Sequence, residues 1–343
     1  MVTLPKISIV TVSYNQGQYL EQTIRSVLDQ NYPNLEYIII DGGSTDNSAD
    51  IIKKYESQLA YWVSEKDSGQ SEAINKGRAK CTGDVFNWLC SDDYLEEGAL
   101  LKIGEAFASE LQPDIVYGNV REFNDEGTRD EVKKGTRIES AVYKSIVRTF
   151  ITQPVTFWKR DMFNEIGLDD RMHWFMDYEM WVKYLYKYGQ SKVVYIDSLL
   201  AHYRFHETSK SQMEADYTQT KKSSKYKIDM NSIHNSVAHK IGYSRLYDII
   251  PTLSTEIVKG YAINLNFTGK EVIARQALNY YVFDNAVRYY WANDFAYAAQ
   301  LFNMVDVNEL EHTDQLIHKN LSFRSNYAPL LKLLRPVKKL FTK

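Results

Sequence analysis

The sequence predicts an α/β protein: a mainly parallel sheet with flanking helices, followed by a C-terminal helical region. Three observations carry this. Ile7 to Val12 and Tyr37 to Ile40 are short apolar runs rich in β-branched residues, the pattern of strands buried on both faces. Apolar residues at helical spacing follow each run. Strand, turn, helix, strand, turn, helix therefore fits within about 55 residues, a βαβ pattern with right-handed crossovers. From about Glu214 the strand-like runs stop and the spacing is helical. The division expected is an α/β unit over 1–212 and a helical region over 213–343.

Taken in order, the first strand runs into Ser13-Tyr14-Asn15-Gln16-Gly17, a turn, and then a helix with Leu20, Ile24, Val27 and Leu28 on one face. Asn31-Tyr32-Pro33-Asn34 stops it. The second strand ends at Asp41-Gly42-Gly43-Ser44-Thr45-Asp46, where Asp46 or Ser44 can cap a helix carrying Ile51, Ile52 and Tyr55. Tyr61 to Val63 is a third short strand, Glu65 to Ser71 a loop, and Glu72 to Lys80 a helix with Ala73, Ile74 and Gly77 against the sheet. After the strand that follows Thr82 come a helix with Leu100, Ile103 and Phe107 and a strand from Asp114 to Val120. Glu122 to Arg137 is strongly charged without apolar period and reads as a solvated excursion or hairpin. Order resumes at Thr152 to Trp158. A helix from Met176 to Tyr188, with Trp181, Leu185 and Tyr188 on one stripe, ends at Gly189. Val193 to Ile196 and Leu199 to Arg204 read as two strands.

Composition narrows the class. The chain has 343 residues, enough for a sizeable core, and a net charge of −3 excludes nucleic-acid binding through a basic surface. Two cysteines, Cys81 and Cys90, are too few for a disulfide framework and lack metal-ligand spacing, so both read as buried, reduced thiols. The amino terminus lacks signal-peptide character and no apolar run reaches the roughly 20 residues of a membrane span. The expected location is the cytoplasm.

The strand Val85 to Leu89 ends at Ser91-Asp92-Asp93. Two adjacent carboxylates at the end of a buried strand repel each other unless a cation or hydrogen-bond donors offset them. A hard cation, Mg2+ or Mn2+, suits such oxygens, particularly beside a diphosphate. A turn and helix cap before Glu96 explains the same residues equally well. Asn15, Asp41 and Asp92-Asp93 all lie at carboxyl ends of predicted parallel strands, where α/β sheets bind ligands.

Together, Ile7 to Asn15 (ISIVTVSYN), Ile40 to Ser48 (IDGGSTDNS), Asp67 to Gly77 (DSGQSEAINKG), Gly83 to Leu95, Phe175 to Trp181 (FMDYEMW) and Tyr203 to Ser211 (YRFHETSKS) resemble a family 2 glycosyltransferase of the GT-A fold, whose sheet is Rossmann-like. The resemblance covers about three fifths of the chain. It implies an inverting, metal-dependent transfer of a sugar from a nucleotide-sugar, a UDP-sugar by the family's pattern, to a hydroxyl of a glycan or lipid-linked glycan in bacterial surface polysaccharide synthesis. It also implies roles. Tyr14 and Asn15 lie at the base, Asp41 accepts from the uracil imide N–H, Gly69 and Asn75 line the nucleotide site, and Asp92 lies near the ribose. Asp93 and His206 hold Mn2+ or Mg2+, with His202 in reserve. Gln153 lies on the acceptor or phosphate side. Asp177 is the general base, with Glu179, two residues on and off its helix face, the weaker candidate. The chain departs from the family's pattern at Ser91, where relatives carry the first Asp of D-x-D, at Met176, where many carry Glu, and at Ile74, where many carry Arg. Lys76 or Arg78 would then neutralise phosphate.

Two rivals stand beside this reading. A nucleotidyltransferase would carry a glycine- and arginine-rich phosphate loop, and the Tyr14–Gly17 turn has no Arg or Lys. A non-catalytic nucleotide-binding module would lack the base that Asp177 supplies. In the second half, Trp291, Ala296, Tyr297, Ala299 and Phe302 loosely resemble one helical-repeat unit, which alone cannot build a solenoid. Asn320 to Lys343 is basic and leucine-rich, without an acidic residue. It reads as a peripheral anchor at the inner face of the plasma membrane, while a docking helix or a disordered tail fits the same composition.

Overall fold

A computed structural model describes residues 3–148, 151–172, 175–207, 209, 233–234, 236–238 and 269–327. The expected boundary between 212 and 213, and tail residues 328–343, lie outside the described residues. The first half builds β1 (Ile7–Ser13), α1 (Gly17–Leu28), β2 (Leu35–Asp41), α2 (Ser48–Lys54), β3 (Tyr61–Ser64), α3 (Gln70–Arg78), β4 (Val85–Cys90), β5 (Tyr94–Leu95) and α4 (Ala99–Phe107). Next come β6 (Ile115–Phe123), β7 (Asp130–Lys134), α5 (Val142–Arg148), β8 (Thr156–Lys159), α6 (Arg160–Ile166), α7 (Met176–Tyr188) and β9 (Val193–Arg204). Three further helices are α8 (Glu271–Trp291), α9 (Phe295–Phe302) and α10 (His312–Asn326).

The strands form one sheet in the order β3-β2-β1-β4-β8-β6-β9-β5, with β7 paired to β6. Strands β1, β2, β3, β4, β6 and β9 run one way; β5, β7 and β8 run the other. Because β1 pairs with β2 on one side and β4 on the other, the chain's direction of travel across the sheet reverses there. That reversal opens a crevice at the carboxyl ends of the strands. The two faces carry two cores, and period-two alternation assigns residues to them. Val10, Val12, Ile38 and Ile40 point to the face covered by α3 and α7, whereas Ile9, Tyr37 and Ile39 point to the face covered by α1, α2 and α4.

The structure decides one open alternative and changes several other elements. The charged stretch after Val120 is a hairpin with β6 extended to Phe123, and its charges pair across the ladder: Arg121 with Asp130 at 2.6 Å, Arg129 with Glu122 at 2.6 Å, and Lys133 with Glu122. The two strands expected after Val193 are one, which follows β6 through register shifts around Asn119. Strand β5 has two residues, too few to register as a pattern, and α5 and α6 are seven residues each.

The C-terminal helices complete the first core. Ala274, Leu278, Tyr280, Phe283, Leu301 and Phe302 are buried in the same cluster as Ile146 of α5 and Trp181 of α7. Burying charge among them requires pairing. Lys144 of α5 meets Glu311 and Asp314 at 2.6 Å each, and Arg148 meets Asp284 at 2.7 Å. Lys144 and Asp314 side chains are both under 10% exposed, so Lys144→Met leaves a buried carboxylate unpaired. Chemical denaturation should show a loss of about 3 kcal/mol for this variant, and adding Asp314→Leu should recover most of it.

Candidate active site

The crevice is lined by turns that leave β1, β2, β3 and β4 in register: Ser13 lies opposite Asp41, Asp41 opposite Ser64, and Val12 opposite Cys90. Asn15 adopts a left-handed φ of 52°, which Asn tolerates better than most side chains. Its Oδ1 accepts from the Thr45 N–H at 2.8 Å, and its N–H donates to Ser44 Oγ at 2.8 Å, so the turns after β1 and β2 are tied together. Asp46 accepts from the first N–H groups of two helices, Gly17 of α1 at 2.9 Å and Ser48 of α2 at 3.0 Å. Tyr14 stands clear of this knot, 63% exposed.

Asp41 is 0% exposed. Its carboxylate accepts from the Ser44 N–H at 2.9 Å, Ser44 Oγ at 2.5 Å and Ser64 Oγ at 2.6 Å. Three donors and no surface make it a brace for the crevice floor.

Asp92 and Asp93 separate at the end of β4. Asp93 is 2% exposed, and its side chain accepts one hydrogen bond, from the Arg204 N–H at 2.9 Å. Burial, and then the neighbouring Asp92 charge, push its carboxyl well above the usual carboxylate range. Asp92 is half-buried and accepts from His206 Nε2 at 2.9 Å and from Gln16 Nε2 at 3.3 Å. Thr23 of α1 clamps the loop by donating to the carbonyls of Ser91 at 2.8 Å and Asp93 at 2.7 Å. The Arg204 guanidinium lies over Tyr19 and Phe123 and donates to the Asp92 carbonyl at 3.0 Å.

The structure brings Cys90 to the acidic pair, beside the Asp93–His206 expectation. Cys90 Sγ and a carboxylate oxygen each from Asp92 and Asp93 lie within 4.8 Å of one another. Cys90 is therefore half-exposed at the site, where the sequence suggested a buried thiol remote from any metal. His206 adjoins this set through Asp92. His202 is held elsewhere, bonded to Glu96 at 2.6 Å and stacked on Tyr94. A divalent cation fits, because it would offset a buried carboxylate that has one donor and a like charge beside it. A thiol in the set favours Mn2+ over the harder Mg2+.

Helix α3 links this edge to α7. Gln70 Nε2 reaches Cys90 Sγ at 3.1 Å, and Ser71 Oγ donates to the Met172 carbonyl at 2.6 Å and contacts Met176 Sδ at 3.1 Å. Asp177, half-exposed in the first turn of α7, follows Met176, and its Oδ1 lies 2.8 Å from the Tyr178 N–H. Gly69, at φ 138° in the turn before α3, is the N-cap that lets the loop enter the helix. The other expected residues turn away. Asn75 Nδ2 donates to the Leu168 carbonyl and to Asp170. Lys76 is neutralised by Glu65 and Glu72 at 3.0 Å each, and Arg78 donates to Asn164. Gln153 supports β4 by donating to Asn87 Oδ1 at 2.9 Å and to the Trp88 carbonyl. Glu179 is 0% exposed, paired with Lys183 inside the core.

Residues 8–167 match Glycosyl transferase family 2. The chain carries a family 2 glycosyltransferase domain. It is 27% identical over 270 residues to a glycosyltransferase of Nostoc sp., covering 75% of this chain and 83% of that one. Over 101 residues it is 39% identical to TuaG of Bacillus subtilis, named for teichuronic acid biosynthesis, covering 29% of this chain and 40% of TuaG. The fold resembles that of TarS 1–349 of S. aureus, crystallised with UDP-GlcNAc, at TM-score 0.53 and 14% identity over 94% of this chain and 92% of that one. The α/β half with its helical extension is accordingly a GT-A glycosyltransferase fold.

Sequence reasoning missed four residues around the acidic loop. Gln16, Thr23 and Arg204 hold the acidic loop, and Cys90 joins it. Arg204 could have been found as a cation two residues before His206 in a strand; Thr23, facing inward from α1, carries no such signal.

Burial pushes the Glu179 carboxyl up to about 7 from the ordinary 4.5, against the pull of Lys183. The unfolded carboxyl gives up its proton near 4.5 and the folded one near 7. This contribution to stability is therefore complete below 4.5 and lost as pH rises through 7, amounting to about 3 kcal/mol. In thermal unfolding between pH 5 and pH 8, Glu179→Gln should flatten the downward slope; an unchanged slope would remove Glu179 as its source.

Proposed function

We propose that this enzyme transfers a sugar, with inversion, from a UDP-sugar to a hydroxyl of a glycan or lipid-linked glycan in bacterial surface polysaccharide synthesis. The observation that carries the reading is the acidic edge at the end of β4, where Cys90, half-exposed Asp92 and buried Asp93 lie within 4.8 Å of one another and the first turn of α3 touches both Cys90 and Met176, the residue before Asp177. The names of TuaG and of the TarS complex support the polymer class and the UDP-linked donor.

In this reading Asp177 takes the proton of the acceptor hydroxyl as that oxygen bonds to the anomeric carbon. The bond from the anomeric carbon to the diphosphate oxygen breaks on the opposite face, and the nucleoside diphosphate leaves with the bonding pair. One base suffices because no covalent sugar–enzyme bond forms. Asp92 and Asp93, with Cys90 and His206 beside them, would hold Mn2+ or Mg2+, which when bound offsets the charge on the leaving diphosphate. Gln16 and His206 orient Asp92, and Arg204 and Thr23 fix the loop that carries both acids. Tyr14 offers an exposed aromatic face for the base.

Asp177→Asn should lower turnover by at least about 100-fold, measured as UDP release with a panel of UDP-sugars, while UDP binding in MnCl2 stays within error. Loss of both would make Asp177 structural. Asp93→Asn should abolish the metal dependence of UDP binding in titration calorimetry.

The basic, leucine-rich 320–343 segment supports contact with an anionic bilayer, where a lipid-linked acceptor would lie. Among the described residues no helix is long and apolar enough to cross a membrane. Truncation after Tyr327 should reduce sedimentation with phosphatidylglycerol vesicles; equal sedimentation would remove the membrane contact.

A further inference from the structure

Helix α10 has its two faces the wrong way round for a surface helix, which ordinarily turns an apolar stripe to the core and polar residues to water. Its inward stripe is Asp314, His318, Leu321 and Ser325, three polar residues and one leucine. Polar contacts hold it there: Asp314 meets Lys144 at 2.6 Å, and His318 Nε2 donates to the Phe302 carbonyl at 2.9 Å. The opposite stripe carries Leu316, Phe323 and Tyr327, which are 50%, 58% and 48% exposed. At 100° per residue these three lie within about 40° of one another, half a turn from the buried stripe.

The exposed side chains form one patch. The Phe323 and Tyr327 rings are 4.7 Å apart. With Leu316, and with Val307 of the short turn before the helix, they line a groove of about 580 Å³. Single exposed apolar residues are ordinary, but a contiguous set on one helix marks a contact.

Charge decides what makes that contact. The acids of this region end at Asp314. From Gln315 to Lys343 there are Lys319, Arg324, Lys332, Arg335, Lys338, Lys339 and Lys343, and no Asp or Glu. Exposed Lys319 borders the groove on one side, and exposed Arg324 flanks the apolar stripe on the other. Long cationic side chains beside an apolar strip lay their stems along it and carry their charge to phosphates. A second copy of the chain, docked face to face, would bring no acid to meet them.

We propose that the outward face of α10 docks on an anionic bilayer, with Leu316, Phe323 and Tyr327 entering the headgroup boundary and Lys319 and Arg324 at the lipid phosphates. The proposal rests on the bilayer contact proposed above for the 320–343 segment and deepens it. The contact surface is a folded helix whose His318 packs on Phe302 of α9, so it orients the whole enzyme on the membrane, whereas a tail alone would only tether it.

Sedimentation of the full chain with phosphatidylglycerol vesicles tests this, with phosphatidylcholine vesicles as the neutral control. Leu316→Ser with Phe323→Ser should weaken binding to phosphatidylglycerol by about tenfold or more. Lys319→Glu alone should weaken it by about fivefold, with little change on phosphatidylcholine. All three positions are exposed, so thermal unfolding and UDP release in solution should stay as in the wild type. Wild-type binding by the double variant would overturn the proposal; loss of binding in Lys338→Glu with Lys339→Glu would then leave the tail's contact standing. Equal wild-type binding to both vesicles would also overturn it, as would a lipid-free dimer that the double variant turns into a monomer, which would make the face a contact between copies. A wild type that sediments with neither vesicle would overturn the face and the tail together.

Discussion

The arrangement of this crevice depends on keeping two adjacent aspartates at the end of a buried strand. Like charges a few ångströms apart in a partly desolvated place cost several kcal/mol unless something offsets them. The fold supplies the offsets from far along the chain. Arg204 comes from the last strand of the sheet with its N–H on the Asp93 carboxylate, His206 and Gln16 reach the Asp92 carboxylate, and Thr23 of the first helix fixes the loop's backbone carbonyls. Strand β9 must therefore run beside β6 for its whole length to deliver Arg204 and His206. The topology of the sheet's second half follows from that requirement as much as from core packing.

The helical region meets a second requirement, a fixed α7. A general base is useful only if its helix cannot slide, because effective catalysis depends on sub-ångström placement. Trp181, Tyr184 and Leu185 anchor α7 in the first core, and α8 closes that core from outside with Tyr280, Tyr281 and Phe283. Tyr178, the residue after Asp177, donates or accepts at His234 (3.0 Å), and His234 stacks on Tyr281. The aromatic residues concentrated in the second half of the sequence thus bear directly on the helix that carries Asp177, the proposed base.

Much of the α/β half was legible because it obeys periodic rules. Buried parallel strands read as continuous apolar runs, and the first three helices show clear stripes. What could not be read were elements whose cause is distant. The hairpin of β6 and β7 is charged on both strands and has no apolar period, so the sequence offered it only beside a solvated excursion; Arg121, Arg129 and Lys133 each find an acid across it. Strand β5 exists because β9 lies beside it. At the candidate site, motif positions fell at the strand ends but could not say which way a side chain turns. Asn75 and Gln153 sit in the motifs and spend their amides on Leu168, Asp170, Asn87 and Trp88. Cys90 looked like a core thiol because its strand is apolar, yet it is the last residue of that strand, where burial ends.

Exposure alone does not sort the acids of such a crevice; the number of donors each one already holds does. Asp41 and Asp93 are both buried at the ends of neighbouring parallel strands. Asp41 has three donors within its own turn and the adjoining strand, so its charge is satisfied before any ligand arrives. Asp93 has one, and faces Asp92. Glu179 is buried as well but sits beside Lys183, a partner one helical turn away on the same helix. A carboxylate that folding leaves short of donors retains a free-energy incentive to take up a cation or an N–H, whereas one already surrounded by them has none. By that criterion Asp93 is the acid of this edge left shortest of donors, whereas Asp41 is already satisfied by its own turn and the adjoining strand.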